Sequence, residues 1–432
     1  MLPYIALGIF GVAFVLIVLE WFDKSLVALS GALLMVIFGI LSPEQAIESI
    51  EFETILLLLS MMLLVNIASK SGIFEWLNVK IASLTRGNPL AIFLFFSLVT
   101  AVFSAFLDNV TTVILIVPLT IELVKGMGKD PKPYIMAEII FSNIGGGLTL
   151  IGDPPNIIIA GATNLNFVDF IVNLWIPIAA SMAFAFLVFG FAYRKHLKTI
   201  SNDLIELMVA NIIIRKIRKK FVKTTIHKEF VFKVLAILAM TFVGFLMQRQ
   251  LGLPNYVIAF SAAVLLAILS RKRINIHKTF ESVEWSTLFF FAGLFIMVGG
   301  IEHTGLLQTI SEYVANSTSS VLYLALMILW VSGFVSMILD NIPFVTVMIP
   351  VIMGIQANLP GVDTSILWWA LSLGACLGGN GTLIGASANV VSADLAKKQG
   401  VDISFLSYMK FSLPLTVGIL IICSGYLFIT IS

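Results

Sequence analysis

Gly147-Leu-Thr-Leu-Ile-Gly-Asp-Pro-Pro-Asn156 returns as Asn380-Gly-Thr-Leu-Ile-Gly-Ala-Ser-Ala-Asn389, an offset of 233 residues (380 − 147). Two further blocks keep almost the same spacing. Glu48-Ser-Ile-Glu-Phe-Glu-Thr54 matches Glu281-Ser-Val-Glu-Trp-Ser-Thr287 at 233 (287 − 54). Asp108-Asn109, with an apolar run to Pro118, matches Asp340-Asn341 and the run to Pro350 at 232 (340 − 108). Three blocks in one order at nearly one offset define an internal repeat, and a repeat read first constrains the whole fold.

The medium of that repeat follows from composition. Of 432 residues, 59% are hydrophobic and 12% charged, against roughly 25% charged in soluble domains. The apolar runs 5–19, 26–41, 170–192 and 413–431 approach or exceed the ~17–25 residues of a spanning helix. A large soluble core does not produce so many long uncharged runs. The net charge of +2 says little, because placement of charge decides topology. Cys376 and Cys423 both fall in apolar segments, so neither a disulfide framework nor a metal-type spacing is present. The N-terminal apolar run lacks a basic leader and a small-residue cleavage site, and reads as a first span rather than a removed signal.

Hydropathy places spans at 2–20, 26–41, 54–70, 135–161 and 168–192, then at 231–248, 255–270, 286–302, 366–391 and 412–431. The stretches 90–124 and 320–354 are each ~35 residues long and interrupted near the middle by an Asp-Asn pair. A straight helix would leave those carboxylates in hydrocarbon, whereas a re-entrant hairpin puts its polar tip inside the protein. The segment 194–233 is rich in basic residues and is expected to be cytoplasmic. Counting spans from there places Arg271, Lys272, Arg273 and Lys278 inside, with Lys80 and Arg86, with Lys125, Lys129 and Lys132, and with Lys397 and Lys398. The acidic loop 42–53 then falls outside, and both termini are extracytoplasmic.

Each half therefore has five spans and one hairpin: residues 1–205, a basic cytoplasmic linker at 206–230, and residues 231–432. Five is odd, so the second half enters from the opposite side. The expected fold is an all-α polytopic membrane protein of inverted repeats, the design of secondary transporters with discontinuous helices meeting at the midplane.

Four polar clusters interrupt the apolar segments. They are Asp108-Asn109-Val-Thr111-Thr112, Thr149-Leu-Ile-Gly152-Asp153-Pro-Pro-Asn156, Asp340-Asn341, and Thr382-Leu-Ile-Gly385-Ala-Ser387-Ala-Asn389. The adjoining glycines, Gly145 to Gly147 and Gly378, Gly379 and Gly381, let a spanning helix unwind. Unwound carbonyls coordinate cations, and half-helix starts attract anions. An isolated Asn or Thr at membrane depth is explained by an interhelical hydrogen bond of roughly 1 kcal/mol; a symmetric set of four clusters is not. An aspartate there costs at least ~2.5 kcal/mol, which singles out Asp108, Asp153 and Asp340. Asp153 could alternatively cap the half-helix that follows the break. Glu138, one turn into its span, reads as reaching the interface. The four histidines read as solvated, and Cys376 as core packing. The glycine-rich runs lack the Gly-Lys-Ser/Thr of a phosphate loop.

Asp108-Asn-Val-Thr-Thr through Pro118, with Ala137-Glu-Ile-Ile-Phe-Ser-Asn143-Ile-Gly-Gly and Ile151-Gly-Asp-Pro-Pro-Asn156, resembles the P protein (pink-eyed dilution) branch of the ion transporter superfamily. That superfamily also holds arsenite/antimonite permeases, D-type sodium/proton antiporters and divalent anion–sodium symporters. The resemblance spans essentially the whole chain. It implies a scaffold domain, often dimeric, and a transport domain moving its hairpins and broken helices like an elevator. It implies one ion site at Asp108, Asn109 and Thr112 with Gly152, Asp153 and Asn156, where Asp108, Asn109 and Asp153 could hold sodium. An inverted counterpart would use Asp340, Asn341, Gly385, Ser387 and Asn389. The Ser-Asn-Thr signature of dicarboxylate symporters is absent from both hairpins, and acidic residues suit cations or protons better than a carboxylate.

The expected function is secondary active transport of a small inorganic ion, with sodium or protons as coupling ion and no other cofactor. Arsenite/antimonite efflux by proton antiport, sodium-coupled anion or dicarboxylate symport, and an ion channel are the alternatives. An intramembrane aspartyl protease built on Asp108 and Asp153 leaves the repeated Asp340-Asn341 without a role, so no enzyme is expected. The expected partners are membrane lipid and a second copy of the chain, not nucleic acid.

Overall fold

The computed structural model describes residues 2–431 apart from Glu20, residues 86–87, Lys195, residues 197–226, Ser319 and Gly361. The first half comprises α1 (Leu2–Leu19), α2 (Lys24–Ile37), α3 (Pro43–Glu48), α4 (Phe52–Ser69), α5 (Ile73–Thr85), α6 (Pro89–Phe106), α7 (Asn109–Gly126), α8 (Lys132–Gly146), α9 (Pro154–Ala162) and α10 (Phe167–Ala192). The second comprises α11 (Lys228–Leu246), α12 (Gln248–Leu251), α13 (Asn255–Ser270), α14 (Ile276–Glu281), α15 (Trp285–His303), α16 (Leu306–Ser317), α17 (Val321–Ile338), α18 (Asn341–Asn358), α19 (Ile366–Gly378), α20 (Ser387–Lys398) and α21 (Phe405–Ile431). From α13 to α20, each helix of the second half begins 231 to 234 residues after one of the first, as Trp285 follows Phe52 (285 − 52), and the outer pairs α1/α11 and α10/α21 follow in the same order.

Ten of these helices are long and apolar enough to cross a membrane. Their outward faces carry exposed Val12, Leu187, Phe191, Phe232 and Ile429, a surface that suits lipid and not water. The short elements have local causes. Ser42 and Gln45 close a capping box at α3, Asn88 caps α6 ahead of Pro89, and Asn275 caps α14. Such caps satisfy the orphan N–H groups of a helix start.

Both Asp-Asn interruptions are hairpin tips. Leu107, in extended conformation, and Asp108 are all that separates α6 from α7. Leu339 and Asp340 do the same between α17 and α18. The expected spans 135–161 and 366–391 are each split, by residues 147–153 and 379–386. Besides the short α3, α12 and α14, two longer helices lie where sequence alone reads as loop: α5 and α16. The latter is amphipathic, with only Leu307, Ser311 and Ala315 buried, so it lacks the length and continuous apolarity of a span. The expected linker 206–230 ends inside α11, which starts at Lys228; residues 206–226 of it, and most of the basic stretch 194–233, lie outside the described residues.

The helices pack in two groups. One contains α1 on α2 and α15, α2 on α15, and α4 on α13. The other contains α6 on α8, α17 on α19, and α21 on α10, α17 and α19. Within the second group the halves exchange partners: α7 packs on α20 and α18 packs on α9. Close approach is built from glycine. A Cβ at Gly145 would lie 2.1 Å from the Ala101 carbonyl, and one at Gly378 2.5 Å from that of Gly333, so α6–α8 and α17–α19 touch backbone to backbone.

Candidate ion-binding site

The two hairpin tips and the two broken helices meet at one cavity of about 420 Å³. Its second-group wall consists of four helix starts: Asp108–Thr111 on α7, Asp153 and Pro154 at α9, Asp340–Ile342 at α18, and Ala386 and Ser387 at α20. The facing wall comes from the first group and includes Asp23, Lys24, Met62, Asn66, Glu284 and Thr287. The cavity thus lies between the two packing groups.

Asp108 caps α7: its Oδ1 accepts the Thr111 N–H at 2.7 Å and its Oδ2 the Thr111 hydroxyl at 2.5 Å. Asp340 caps α18 more loosely, accepting the Ile342 N–H at 3.4 Å, and is shared among other donors. Lys24 Nζ lies 3.1 Å from Asp340 Oδ2, and the Ser387 hydroxyl donates to the same oxygen at 3.4 Å. Asp153 occupies the cap position of α9 without making a cap hydrogen bond. Its Oδ1 accepts weakly from Asn109 Nδ2 at 3.5 Å, and its Oδ2 is buried with no partner. The capping explanation of this aspartate therefore has no bond to support it. A buried carboxylate whose neighbouring donors are only a weak Asn109 bond, the Asn341 amide and the Cys376 thiol is costly, and a proton or cation there removes the cost.

The remaining sequence candidates divide. Asp108, Asn109, Thr111, Asp153, Asp340, Asn341 and Ser387 line the cavity. Thr112 is fully buried behind the tip with an unpartnered hydroxyl. Gly152 and Gly385 sit where a Cβ would press on the Ser104 and Ser336 carbonyls, at 2.6 and 2.7 Å; they permit the breaks to pack against the hairpins. Thr149 and Thr382 hold their breaks to the same hairpins, donating to the carbonyls of Ala105 and Met337. Asn156 and Asn389, expected as ion ligands, brace the unwound backbone instead. Asn156 Nδ2 donates to the Thr149 carbonyl at 2.9 Å and Asn389 Nδ2 to the Thr382 carbonyl at 2.8 Å. Glu138, read as reaching the interface, is 1% exposed and accepts from the Thr120 hydroxyl, because α8 is enclosed by α6 and α7 along its length.

Sequence reasoning missed three participants. Lys24 opens a span, where a lysine ordinarily anchors at the interface. Glu284 is visible only as part of a repeat block. Asn143 joins the halves: its Oδ1 accepts from Asn109 at 3.3 Å, and its Nδ2 donates to Asn380 Oδ1 at 3.0 Å and Asn389 Oδ1 at 2.8 Å.

The charge of the cavity decides what it can hold. Each helix start carries roughly half a positive charge, so these four and the starts of α2 and α15 on the facing wall contribute about +3. Asp108, Asp153 and Asp340, with Asp23, Glu284 and Lys24 on the facing wall, outweigh this and leave about one negative charge when all are ionised. Oxygen ligands in a net-negative, partly enclosed site are the chemistry of hard cations.

A chain with many apolar spans, paired hairpins and broken helices converging on a charged cavity is a polytopic membrane transporter. Sequence comparison narrows the class: the citrate transporter family (CitMHS) matches residues 14–374, and the chain belongs to that family. It is 36% identical over 433 residues to the 46 kDa membrane protein of Mycobacterium leprae, covering 98% of each chain. It is 35% identical over 437 residues to an uncharacterized transporter of Mycobacterium tuberculosis, again covering 98% of each. The human P protein is 32% identical over 490 residues, covering 96% of this chain and 58% of that one, so the branch read from the motifs stands. Among solved structures, the Alcanivorax borkumensis YdaH transporter superposes with a TM-score of 0.55 at 18% identity, covering 86% of this chain and 84% of that one. Neisseria gonorrhoeae MtrF, described as illuminating a class of antimetabolite efflux pumps, gives 0.58 at 15%, covering 91% and 83%. These two likenesses concern the fold alone.

Proposed function

We propose that the chain is a secondary active transporter of a small inorganic ion, coupled to sodium or protons that bind between the hairpin tips. The observation that carries this reading is the excess of carboxylates around the cavity, with Asp153 Oδ2 buried and unpartnered. Asp108, Asn109 and Asp153 are the oxygens offered to sodium in the first half. Asp340, Asn341 and Ser387 form the second-half set.

The repeats are inverted in this reading, since each half crosses an odd number of times. The two packing groups are a scaffold and an elevator-type transport domain, and the cavity is carried across with the latter. Both termini lie outside the cytoplasm, and the scaffold is the face for a second copy. Single-cysteine labelling tests the orientation: a cysteine at Glu44 reacts with an impermeant reagent in intact cells and one at Lys272 does not.

The description of the family as citrate transporters favours a second reading, sodium-coupled symport of a carboxylate anion. The helix starts around the cavity suit an anion, but only when the neighbouring acids are neutralised by bound cations. Arsenite or antimonite efflux by proton antiport, and a channel, remain outcomes of the test. Uptake into proteoliposomes by a panel of ions under imposed sodium, proton and voltage gradients separates them: the proposal requires accumulation driven by a sodium or proton gradient. Flux that only follows the cargo's own gradient speaks for a channel.

A further inference from the structure

Helix α8 carries a polar stripe that the cavity does not use. Tyr134, Glu138 and Ser142 recur every fourth residue, so they share one face, and each is at most 2% exposed. Thr120 of α7 is fully buried and donates to Glu138 Oε1. Glu138 Oε2 and the Tyr134 hydroxyl have no partner. By the repeat offsets, the corresponding second-half residues are Leu367, Leu371 and Ala375 for the stripe and Ile352 for Thr120. The fold is therefore built once with four polar groups and once with four apolar ones, and packing alone does not require the polar set.

We infer that Glu138 is a second proton-binding site, separate from the cavity and present in the first half only. The ionised acid has one oxygen facing no donor in an apolar helix interface, which is expensive. The neutral acid needs only the Thr120 bond and a proton on Oε2. Glu138 stands five residues before Asn143, about 7.5 Å along the axis, and Asn143 accepts from Asn109 of the cavity wall. The stripe thus runs from the first turn of α8 to the node that holds the first hairpin tip. Protonation at Glu138 adds one proton and no other chemistry.

The charged and titratable groups on the surrounding elements do not bond to it. Helix α6 has none; α7 has Glu122 and Lys125 in its last turns; α10 has Asp169 in its first turn, with Tyr193 just past its end bonded to Met136. Helix α19 offers Cys376, and α20 offers Asp394, Lys397 and Lys398, the first and last of these paired with each other. Lys132 lies at the start of α8 itself.

Infrared difference spectra of the reconstituted full-length protein, recorded across a pH titration, test the site without requiring transport. The expected result is a carbonyl band of a protonated buried carboxyl that is absent in E138Q, retained in D153N, and shifted in frequency in T120V, which keeps the acid and removes its hydrogen-bond donor. Spectra of E138Q and T120V superimposable on the wild type would overturn the inference. Failure of gradient-driven uptake in the wild type bears on the cavity reading alone, because the band is read in resting protein.

Discussion

Lys24 Nζ and Asp340 Oδ2 stand 3.1 Å apart across the cavity, joining the start of α2 to the tip of the second hairpin. The two residues are 316 positions apart in sequence and belong to different packing groups. The ammonium occupies the space in which a free cation would meet Asp340, so the two compete for one carboxylate. Neither side chain is fully buried, with 32% and 12% exposure, and a pair of that kind is worth about 1 kcal/mol. Replacing Lys24 by Met is expected to lower the half-maximal sodium concentration for thermal stabilisation of the purified protein about fivefold, the equivalent of that energy. An unchanged midpoint would mean the lysine does not compete.

Asp153 and Ser387 occupy neighbouring positions of the two breaks but differ in charge. Asp153→Asn removes the buried, unpartnered anion and keeps the shape. Transport by this variant is expected to lose most of its pH dependence and its cation coupling, with the melting temperature held or raised. Ser387→Ala removes one long hydrogen bond to Asp340. Because it also removes a neutral oxygen of the second-half set, it is expected to weaken cation affinity about threefold to fivefold, as the loss of one ligand contact of ~1 kcal/mol predicts, without moving the pH optimum. Initial uptake rates against pH for both variants make the comparison.

Asn143 makes three side-chain hydrogen bonds, one to Asn109 in its own half and two to Asn380 and Asn389 in the other, all among buried residues. Asn143→Leu leaves Asn109, Asn380 and Asn389 without those partners, and buried orphans cost about 1–3 kcal/mol each. The variant is expected to melt well below the wild type in a thermal-unfolding assay, and a melting temperature equal to the wild type's would refute the bracing role.

Gly145 and Gly190 are both helical glycines in the first half, in opposite surroundings. A Cβ at Gly145 meets the Ala101 backbone at 2.1 Å, whereas one at Gly190 meets nothing within 4 Å. Gly145→Ala is expected to disrupt the α6–α8 contact, with loss of monodisperse protein on size exclusion. Gly190→Ala is expected to be neutral or stabilising by up to ~1 kcal/mol, from helix propensity. Equal behaviour of the two would refute the backbone contact.

How far these features are legible before the structure depends on what each residue signals locally. Asp108 and Asp340 announce the hairpin tips because a carboxylate midway along ~35 apolar residues has no other economical place. Gly145 to Gly147 and Pro154 announce the break because both residue types oppose helix. Asn156 and Asn389 mislead: an amide beside a break serves equally as an ion ligand or as a brace for freed carbonyls, and only geometry separates these. Glu138 misleads for another reason. Its depth is set by how α6 and α7 enclose α8, and hydropathy does not contain such tertiary packing. Lys24 is invisible because its partner is supplied by the other half of the chain.

In the proposed mechanism, cations bound among the acids of the cavity drive transport. Its most direct test is uptake into proteoliposomes loaded symmetrically with cargo, with a sodium or proton gradient as the only driving force, for wild type and Asp153→Asn side by side. Concentrative uptake is expected in the wild type, collapsing when the gradient is dissipated, and none in Asp153→Asn. Uptake in Asp153→Asn that remains gradient-driven at the wild-type level would contradict that mechanism.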